Sequence, residues 1–286
     1  MELTRDRYPW KLRTHELTLG ARTLVMGVLD VSGAQGAGSS QAVNALLEEA
    51  LAIQAAGADL IDVSAQPNRG IPRRMTADEE LRQMVPVLRK LRHNLDIPVS
   101  VHTSNSATAE RVLELGAEII YDWSGLTFDA DMVSLAKQMD TGLILGHVRD
   151  TPDTWAKQRP LPDVVSVIMR DLQSAMGRAT GMGIDRRRIV IDPGLEQGKR
   201  GLQNFRILAE LDLVSSLNRP ILVDLVGKPF LTESVRSPDD ERLFATATAA
   251  AVAVYTGAHI IRVGEVKEIS YVAKTADRMF ESFEPS

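Results

Sequence analysis

Polar residues recur along this chain directly after short apolar runs, and their types are those that bind and activate small molecules. The series is Asp30, then Asp62, Gln66, Asn68 and Arg69, then His102 and Thr103, Tyr121 and Asp122, His147 and Arg149, Asp192 and Lys199, Lys228, and finally Arg262. A carboxylate such as Asp192, set in Ile191-Asp192-Pro193-Gly194, can serve as a fixed acceptor for an N–H-rich heterocycle. It can equally accept backbone N–H groups of its own turn, and on geometry alone the two readings stand level. Lys228 can donate to a carbonyl or to a departing phosphate, which its proximity to Asp192 would favour; a lone lysine in such a place is more often simply solvated. Arg69 and Arg262 can clamp an anion through two parallel hydrogen bonds, or pair with Asp62 and Glu265. His102, at a strand end, suits either a ligand contact or a satisfied structural donor. His93 and His259 read as structural or exposed, and Met84, Met169, Met176 and Met182 as packing.

The elements that must position these residues announce themselves through a repeated junction. Ala56-Gly57-Ala58-Asp59-Leu60-Ile61, Leu115-Gly116-Ala117-Glu118-Ile119-Ile120 and Thr256-Gly257-Ala258-His259-Ile260-Ile261 each place a glycine between a helical pattern and an apolar run. Glycine there ends a helix in the left-handed region, and the apolar run enters a strand. Alternating helix and strand implies a parallel sheet. Strands are expected near 23–30, 58–64, 97–103, 118–123, 142–148, 188–192, 220–226 and 259–263, nearly continuous in apolar residues because both faces are covered. Helices are expected near 41–56, 76–93, 106–116, 129–140, 162–181, 203–217, 240–257 and 267–283. In the second, Thr76 and Glu79 form a capping box, Leu81, Met84, Val85, Leu88 and Leu91 make an apolar stripe, and Pro86 predicts a kink.

Eight strand–helix pairs specify an α/β fold, a (β/α)8 TIM barrel, whose active site lies at the C-terminal strand ends. An open doubly wound sheet competes, but Gly33-Ala34-Gln35-Gly36-Ala37-Gly38 does not form the glycine fingerprint that sheet would carry after its first strand. Residues 1–22 are expected to form an N-terminal β-hairpin closing the barrel floor, and 1–286 to be one domain.

Composition narrows the function. The 286 residues are 44% hydrophobic and 25% charged, as a packed globular domain requires. The absence of cysteine removes disulfides, thiolate metal sites and a cysteine nucleophile, and the five histidines form no H-E-x-x-H pattern. A net charge of -5 argues against a general nucleic-acid binder. No apolar run reaches the roughly 20 residues a membrane helix needs, and the first residues lack a signal-peptide core, so a cytoplasmic protein with no membrane partner is expected.

The same residues carry a resemblance. Val25-Met26-Gly27-Val28-Leu29-Asp30-Val31-Ser32, Gly57-Ala58-Asp59-Leu60-Ile61-Asp62-Val63, Glu79-Glu80-Leu81-Arg82 through Val85-Pro86-Val87, Ser100-Val101-His102-Thr103 and Tyr121-Asp122-Trp123-Ser124-Gly125-Leu126 follow one another in order. Arg149-Asp150-Thr151-Pro152, Ile191-Asp192-Pro193-Gly194 with Gly198-Lys199, Lys228-Pro229-Phe230, Glu241-Arg242 and Arg262-Val263 complete the series. From about residue 22 to the C-terminus this order and spacing resemble the dihydropteroate synthases, a pterin-binding enzyme family of folate biosynthesis. The resemblance implies a barrel that condenses a pterin-methyl pyrophosphate with p-aminobenzoate, aided by Mg2+ and a mobile loop, in an enzyme commonly a homodimer. It implies that Asp192 accepts from the pterin amino edge, Lys228 donates toward the pterin carbonyl, Arg69 lies near the arylamine and pyrophosphate, and Arg262 meets pyrophosphate. Asp62 and Asp122 stand in family positions, with Asn68 beside Arg69.

Other positions depart from the pattern. His102 stands where the family has an acid, and Tyr121 where it has the pterin-facing asparagine. Asp30 replaces a metal-binding asparagine, Val226-Gly227 replaces the serine and arginine before Lys228, and Gly264 replaces a histidine. Losing two acceptors leaves N–H groups of the bicycle unpaired at about 1–3 kcal/mol each, and Tyr121 is large enough to fill part of the pocket. The resulting expectation is a diverged dihydropteroate-synthase-like transferase with altered or weak activity. Two alternatives are a non-catalytic pterin-binding module and a methyltetrahydrofolate-dependent methyltransferase, the latter less in keeping with the order of the blocks.

Overall fold

The structure, a computed structural model, describes residues 5–32, 40–66, 73–235 and 239–282. It opens with an antiparallel hairpin, β1 (Tyr8–Lys11) and β2 (Glu16–Leu19). Eight further strands follow: β3 (Leu24–Asp30), β4 (Leu60–Ser64), β5 (Val99–His102), β6 (Ile119–Asp122), β7 (Gly142–Gly146), β8 (Ile189–Asp192), β9 (Leu222–Asp224) and β10 (Ile260–Val263). All eight are parallel in the order β8-β7-β6-β5-β4-β3-β10-β9, and a bridge between Ile191 and Ile221 joins the two edges. A closed parallel sheet leaves no edge exposed, and its strands are buried on both faces, as their apolar runs require.

Around it lie α1 (Ser40–Ala55), α2 (Ala77–Leu91), α3 (Ser106–Glu114), α4 (Met132–Gln138), α5 (Val164–Gly181), α6 (Leu202–Ala209), α7 (Leu211–Ser215), α8 (Pro229–Val235), α9 (Asp239–Tyr255) and α10 (Val266–Glu281). The capping box forms as expected: Glu79 N–H donates to the Thr76 hydroxyl at 3.3 Å, and Thr76 N–H to the Glu79 carboxylate at 2.8 Å. Helix α2 runs unbroken through Pro86. The junction glycines Gly57, Gly116 and Gly257 have φ of 100°, 105° and 112°, a region closed to most side chains. Two details differ from the expected pattern. The helix expected over 203–217 is split at Glu210 (φ -112°, ψ 25°) into α6 and α7. The turn after Lys228 winds into α8, where Pro229 occupies the first helical position and gives up an N–H that position leaves unbonded.

Two apolar layers result. One lies between sheet and helices; the other fills the barrel and includes Met26, Leu60, Ile119, Ile144, Val190, Leu222 and Ile260. The hairpin closes this inner layer from below with Trp10, Leu12 and Leu19, and the Trp10 indole N–H donates to Arg188 O at 2.9 Å. Because strand side chains alternate, the residue two positions beyond each inner apolar residue also faces the barrel axis, which makes the next layer up polar.

Candidate active site

That next layer holds Asp62 on β4, Tyr121 on β6, Asp192 on β8, Asp224 on β9 and Arg262 on β10. Each lies two residues past an inner-layer Leu, Ile or Val. All are buried, so each charge must find a partner inside. Arg262 supplies two of them. Its Nε donates to Asp62 Oδ2 at 2.9 Å, and its Nη1 to Asp224 Oδ1 at 2.9 Å. Lys228 Nζ donates to the other Asp224 oxygen at 2.7 Å. The Tyr121 hydroxyl donates to Asp192 Oδ2 at 2.6 Å, and Gly194 N–H donates to Asp192 Oδ1 at 2.9 Å.

The electrostatics follow from this pairing. Burial would raise the Asp224 carboxyl, but Lys228 and Arg262 outweigh it and hold the group well below the carboxylate range. Burial opposes the Arg262 charge, yet Asp224 and Asp62 more than restore it. Burial raises Asp62 despite Arg262, and it raises Asp192 despite the Tyr121 bond. Tyr121 itself is pushed well above 10.0 by burial and by Asp192, so the proton of that pair stays on the phenol. Burial, then Arg262, bring His102 down to about 3, so at neutral pH it is an uncharged imidazole. Its ring meets Tyr121 edge-on at 4.7 Å, and among the described residues its Nδ1 has no hydrogen-bond partner.

Above this layer opens a cavity of about 900 Å3, lined by His102, Gln66, Asp224, Lys228 and Arg262 together with the loop after β8 and Trp155. Its position at the C-terminal strand ends is where barrel active sites form. The expected residues are only partly gathered there. His102, Lys228 and Arg262 line it. Asp62 lies beneath, taken up by Arg262. Asp192, and the Tyr121 that bonds to it from β6, are not among the residues that line this cavity. Asp122 also lies away from the cavity. Its Oδ1 accepts from Ser124 N–H at 2.9 Å and Ser124 Oγ at 2.6 Å, and its Oδ2 from Leu126 N–H at 2.9 Å, so it shapes the loop after β6. Asp30, half-buried at the end of β3, accepts from Ser32 N–H at 2.8 Å. Asn68 and Arg69 lie outside the described residues.

Four residues beyond the expected set belong to the site. Asp224 was legible as a charge inside the apolar run Leu222-Val223-Asp224-Leu225, which only an interior partner permits. Trp155, Glu196 and Gln197 carried no motif. The loop after β8 turns through Gly194 (φ 68°) and Gly198 (φ 78°). A side chain at Gly194 would run into His147 O at 1.9 Å, and at Gly198 into Arg149 O at 2.7 Å. Within this loop Lys199 Nζ donates to His147 O at 2.7 Å and Gly194 O at 2.5 Å. Among the described residues the Trp155 indole N–H and the Gln197 amide oxygen are buried without a hydrogen-bond partner.

Comparison with known proteins agrees with this architecture. The model of the family described as pterin binding enzyme matches residues 26–264. The dihydropteroate synthase of Synechocystis is 29% identical over 264 residues, 91% of this chain and 91% of that protein. The Escherichia coli dihydropteroate synthase is 30% identical over 249 residues, covering 85% of this chain and 87% of the relative. The structure of Xanthomonas albilineans dihydropteroate synthase with 4-aminobenzoic acid superposes with a TM-score of 0.86 at 26% identity, over 96% of this chain and 98% of that one.

Proposed function

The chain belongs to the pterin binding enzyme family, and from that premise we propose that it is a dihydropteroate-synthase-like transferase. It binds a pterin-methyl pyrophosphate and joins it to an arylamine such as p-aminobenzoate. The observation that carries this is the cavity at the strand ends, lined by Lys228, Arg262 and His102 on a barrel matching the family from 26 to 264. Departure of pyrophosphate leaves an electron-poor methylene on the heterocycle, which the arylamine nitrogen captures before losing a proton. Catalysis of such a step is mainly electrostatic. Lys228 and Arg262 supply fixed positive charge facing the cavity, held in place by Asp224, and Arg69 belongs to the same proposal by its place in the chain. His102, neutral and with a free ring nitrogen, offers the ring a donor or an acceptor.

Mg2+ enters only together with substrate. Among the described residues no group of three His, Asp or Glu side chains can hold a metal, whereas Mg2+ is commonly bound by one or two carboxylates plus substrate phosphates. Asp30, a single carboxylate at the end of β3, fits that mode. The ion would neutralise charge on the departing pyrophosphate.

The test is turnover: dihydropterin-methyl pyrophosphate and p-aminobenzoate, with and without Mg2+, followed by chromatography for dihydropteroate. Slow but enzyme-dependent product is expected; a folded sample giving neither product nor a thermal shift with the pterin pyrophosphate would overturn the reading. The hydrogen bond of Tyr121 to Asp192 favours a second reading, a non-catalytic binding module, which binding without product would select.

The proposal extends to a homodimer of cytoplasmic chains. Phe244, Val252 and Tyr255 of α9 are exposed beside an apolar groove lined by Phe205 and Leu231, and its run of alanines permits close helix packing. Light scattering should give twice the 31.3 kDa of one chain; a single-chain mass would contradict it. No helix among the described residues is long and apolar enough to cross a membrane.

A further inference from the structure

We propose that His102 sets the specificity of the cavity: with its ring proton on Nε2 it is a hydrogen-bond donor at the end of β5. It selects a ligand that presents an acceptor there, a bare ring nitrogen or a carbonyl oxygen, over one that presents an N–H. This deepens the functional reading above and rests on it in supposing that the ligand is a heterocycle of the pterin class.

The two ring nitrogens have different surroundings. His102 ends β5, is 9% exposed and lines the cavity. Its Nδ1 is buried and, among the described residues, has no hydrogen-bond partner. That nitrogen is out of a ligand's reach, so Nε2 is the one the ring can present to the cavity. A neutral imidazole carries one proton, and a buried orphan N–H is rarer in proteins than a buried orphan acceptor. The proton therefore belongs on Nε2 and the bare lone pair on Nδ1. Burial, with Arg262 and Lys228 nearby, outweighs Asp224 and brings the ring down to about 3, so at neutral pH no second proton is held.

The ring is fixed in orientation. It meets Tyr121 at 4.7 Å between centroids and 83° between planes, and it stacks on Trp123 at 6.2 Å and 18°. Its neighbours in register are engaged elsewhere. Ser64 of β4 donates to Gln66 O at 3.2 Å and accepts from Gln66 N–H at 3.1 Å, and the Tyr121 hydroxyl of β6 goes to Asp192. The Gln66 amide, also on the cavity, closes onto the backbone of Arg73 at 2.6 and 3.2 Å. Asp224, an acceptor lining the same cavity, is taken by Lys228 and Arg262. A buried donor held in one orientation favours the ligand atom that can accept from it. An N–H placed there would leave two donors facing each other, neither of them paired.

Two measurements on the full chain test this. In ring-15N-labelled protein the nitrogens of a neutral imidazole resonate far apart according to which one carries the proton. The His102 signals, assigned by their loss in His102→Phe, should show Nε2–H at neutral pH, and Nε2 should shift at saturation with pterin. Isothermal titration then compares pterin, whose N5 and N8 are bare, with tetrahydropterin, kept anaerobic, in which both carry hydrogen. The unaltered chain should bind pterin about ten-fold or more tightly. His102→Gln, whose amide N–H can take the place of Nε2–H, should keep most of that preference, and His102→Phe should lose it. An Nδ1–H tautomer, or an equal pterin preference in a folded His102→Phe chain, overturns the proposal. Equal binding of both heterocycles to the unaltered chain also overturns it, and leaves the transferase reading standing. Binding of neither would remove the pterin reading and this proposal with it.

Discussion

The floor and the wall of the cavity are equally polar and almost equally buried, yet one is closed on itself and the other is open. On the floor the charges are paired, although Asp62 Oδ1 and His102 Nδ1 keep no hydrogen-bond partner among the described residues: Arg262 lies between Asp62 and Asp224, Lys228 rests on Asp224, and both Asp192 oxygens accept hydrogen bonds. On the wall the Trp155 indole N–H and the Gln197 amide oxygen have no partner among the described residues, and Lys199 gives its hydrogen bonds to two backbone carbonyls. Burial alone would have ranked Asp192 and Gln197 together. Satisfaction separates them, because a paired buried group stabilises the fold whereas an unpaired one weakens it until a ligand arrives. The floor should therefore carry stability and the wall recognition.

The largest break in this contrast comes from Arg262→Leu. It strands Asp62, takes from Asp224 one of its two cations, and should cost about 3–5 kcal/mol in urea unfolding; a loss near zero would mean the floor is not the supporting network it resembles. Tyr121→Phe leaves Asp192 Oδ2 without its donor and should cost about 1–3 kcal/mol. Ligand affinity should stay unchanged, and a clear gain by titration would show instead that Tyr121 swings away when ligand binds. His102→Asn sharpens the contrast through pH. The native imidazole titrates at about 3 rather than 6.5, so on acidification below 6.5 the unfolded chain takes a proton that the native one refuses. The stability this group contributes is complete above that pH and is lost toward about 3, at up to ~1.4 kcal/mol per pH unit. Denaturation curves for the Asn variant should show a shallower acid slope by that difference; an unchanged slope would contradict a neutral buried His102. The smallest stability effect is expected on the wall. Gln197→Met removes an unpartnered oxygen and should be neutral or stabilise by up to ~1 kcal/mol in urea unfolding. A large destabilisation would mean the wall is structural too.

Most of the architecture was legible because it is written locally. A glycine that must be left-handed, as at 57, 116 and 257, and apolar runs of strand length set the barrel and its hairpin within a few residues. The split at Glu210 was hidden because the apolar pattern continues across it. The site was legible as residue types but not as pairings. Tyr121 and Asp192 are 71 positions apart and meet only through barrel closure, so a local reading gives each an open role that the fold then withdraws. Asp224 had a signal, a charge within a strand, while Trp155 and Gln197 sit on turns whose approach no spacing foretells.

The most direct test is a crystal structure of the chain with p-aminobenzoate and a pterin pyrophosphate bound. The expected result keeps the Tyr121 hydroxyl on Asp192, near the present 2.6 Å, with the ligand in the cavity against Lys228 and Trp155. A heterocycle seated on Asp192 with Tyr121 displaced would contradict the division between a closed floor and a receptive wall.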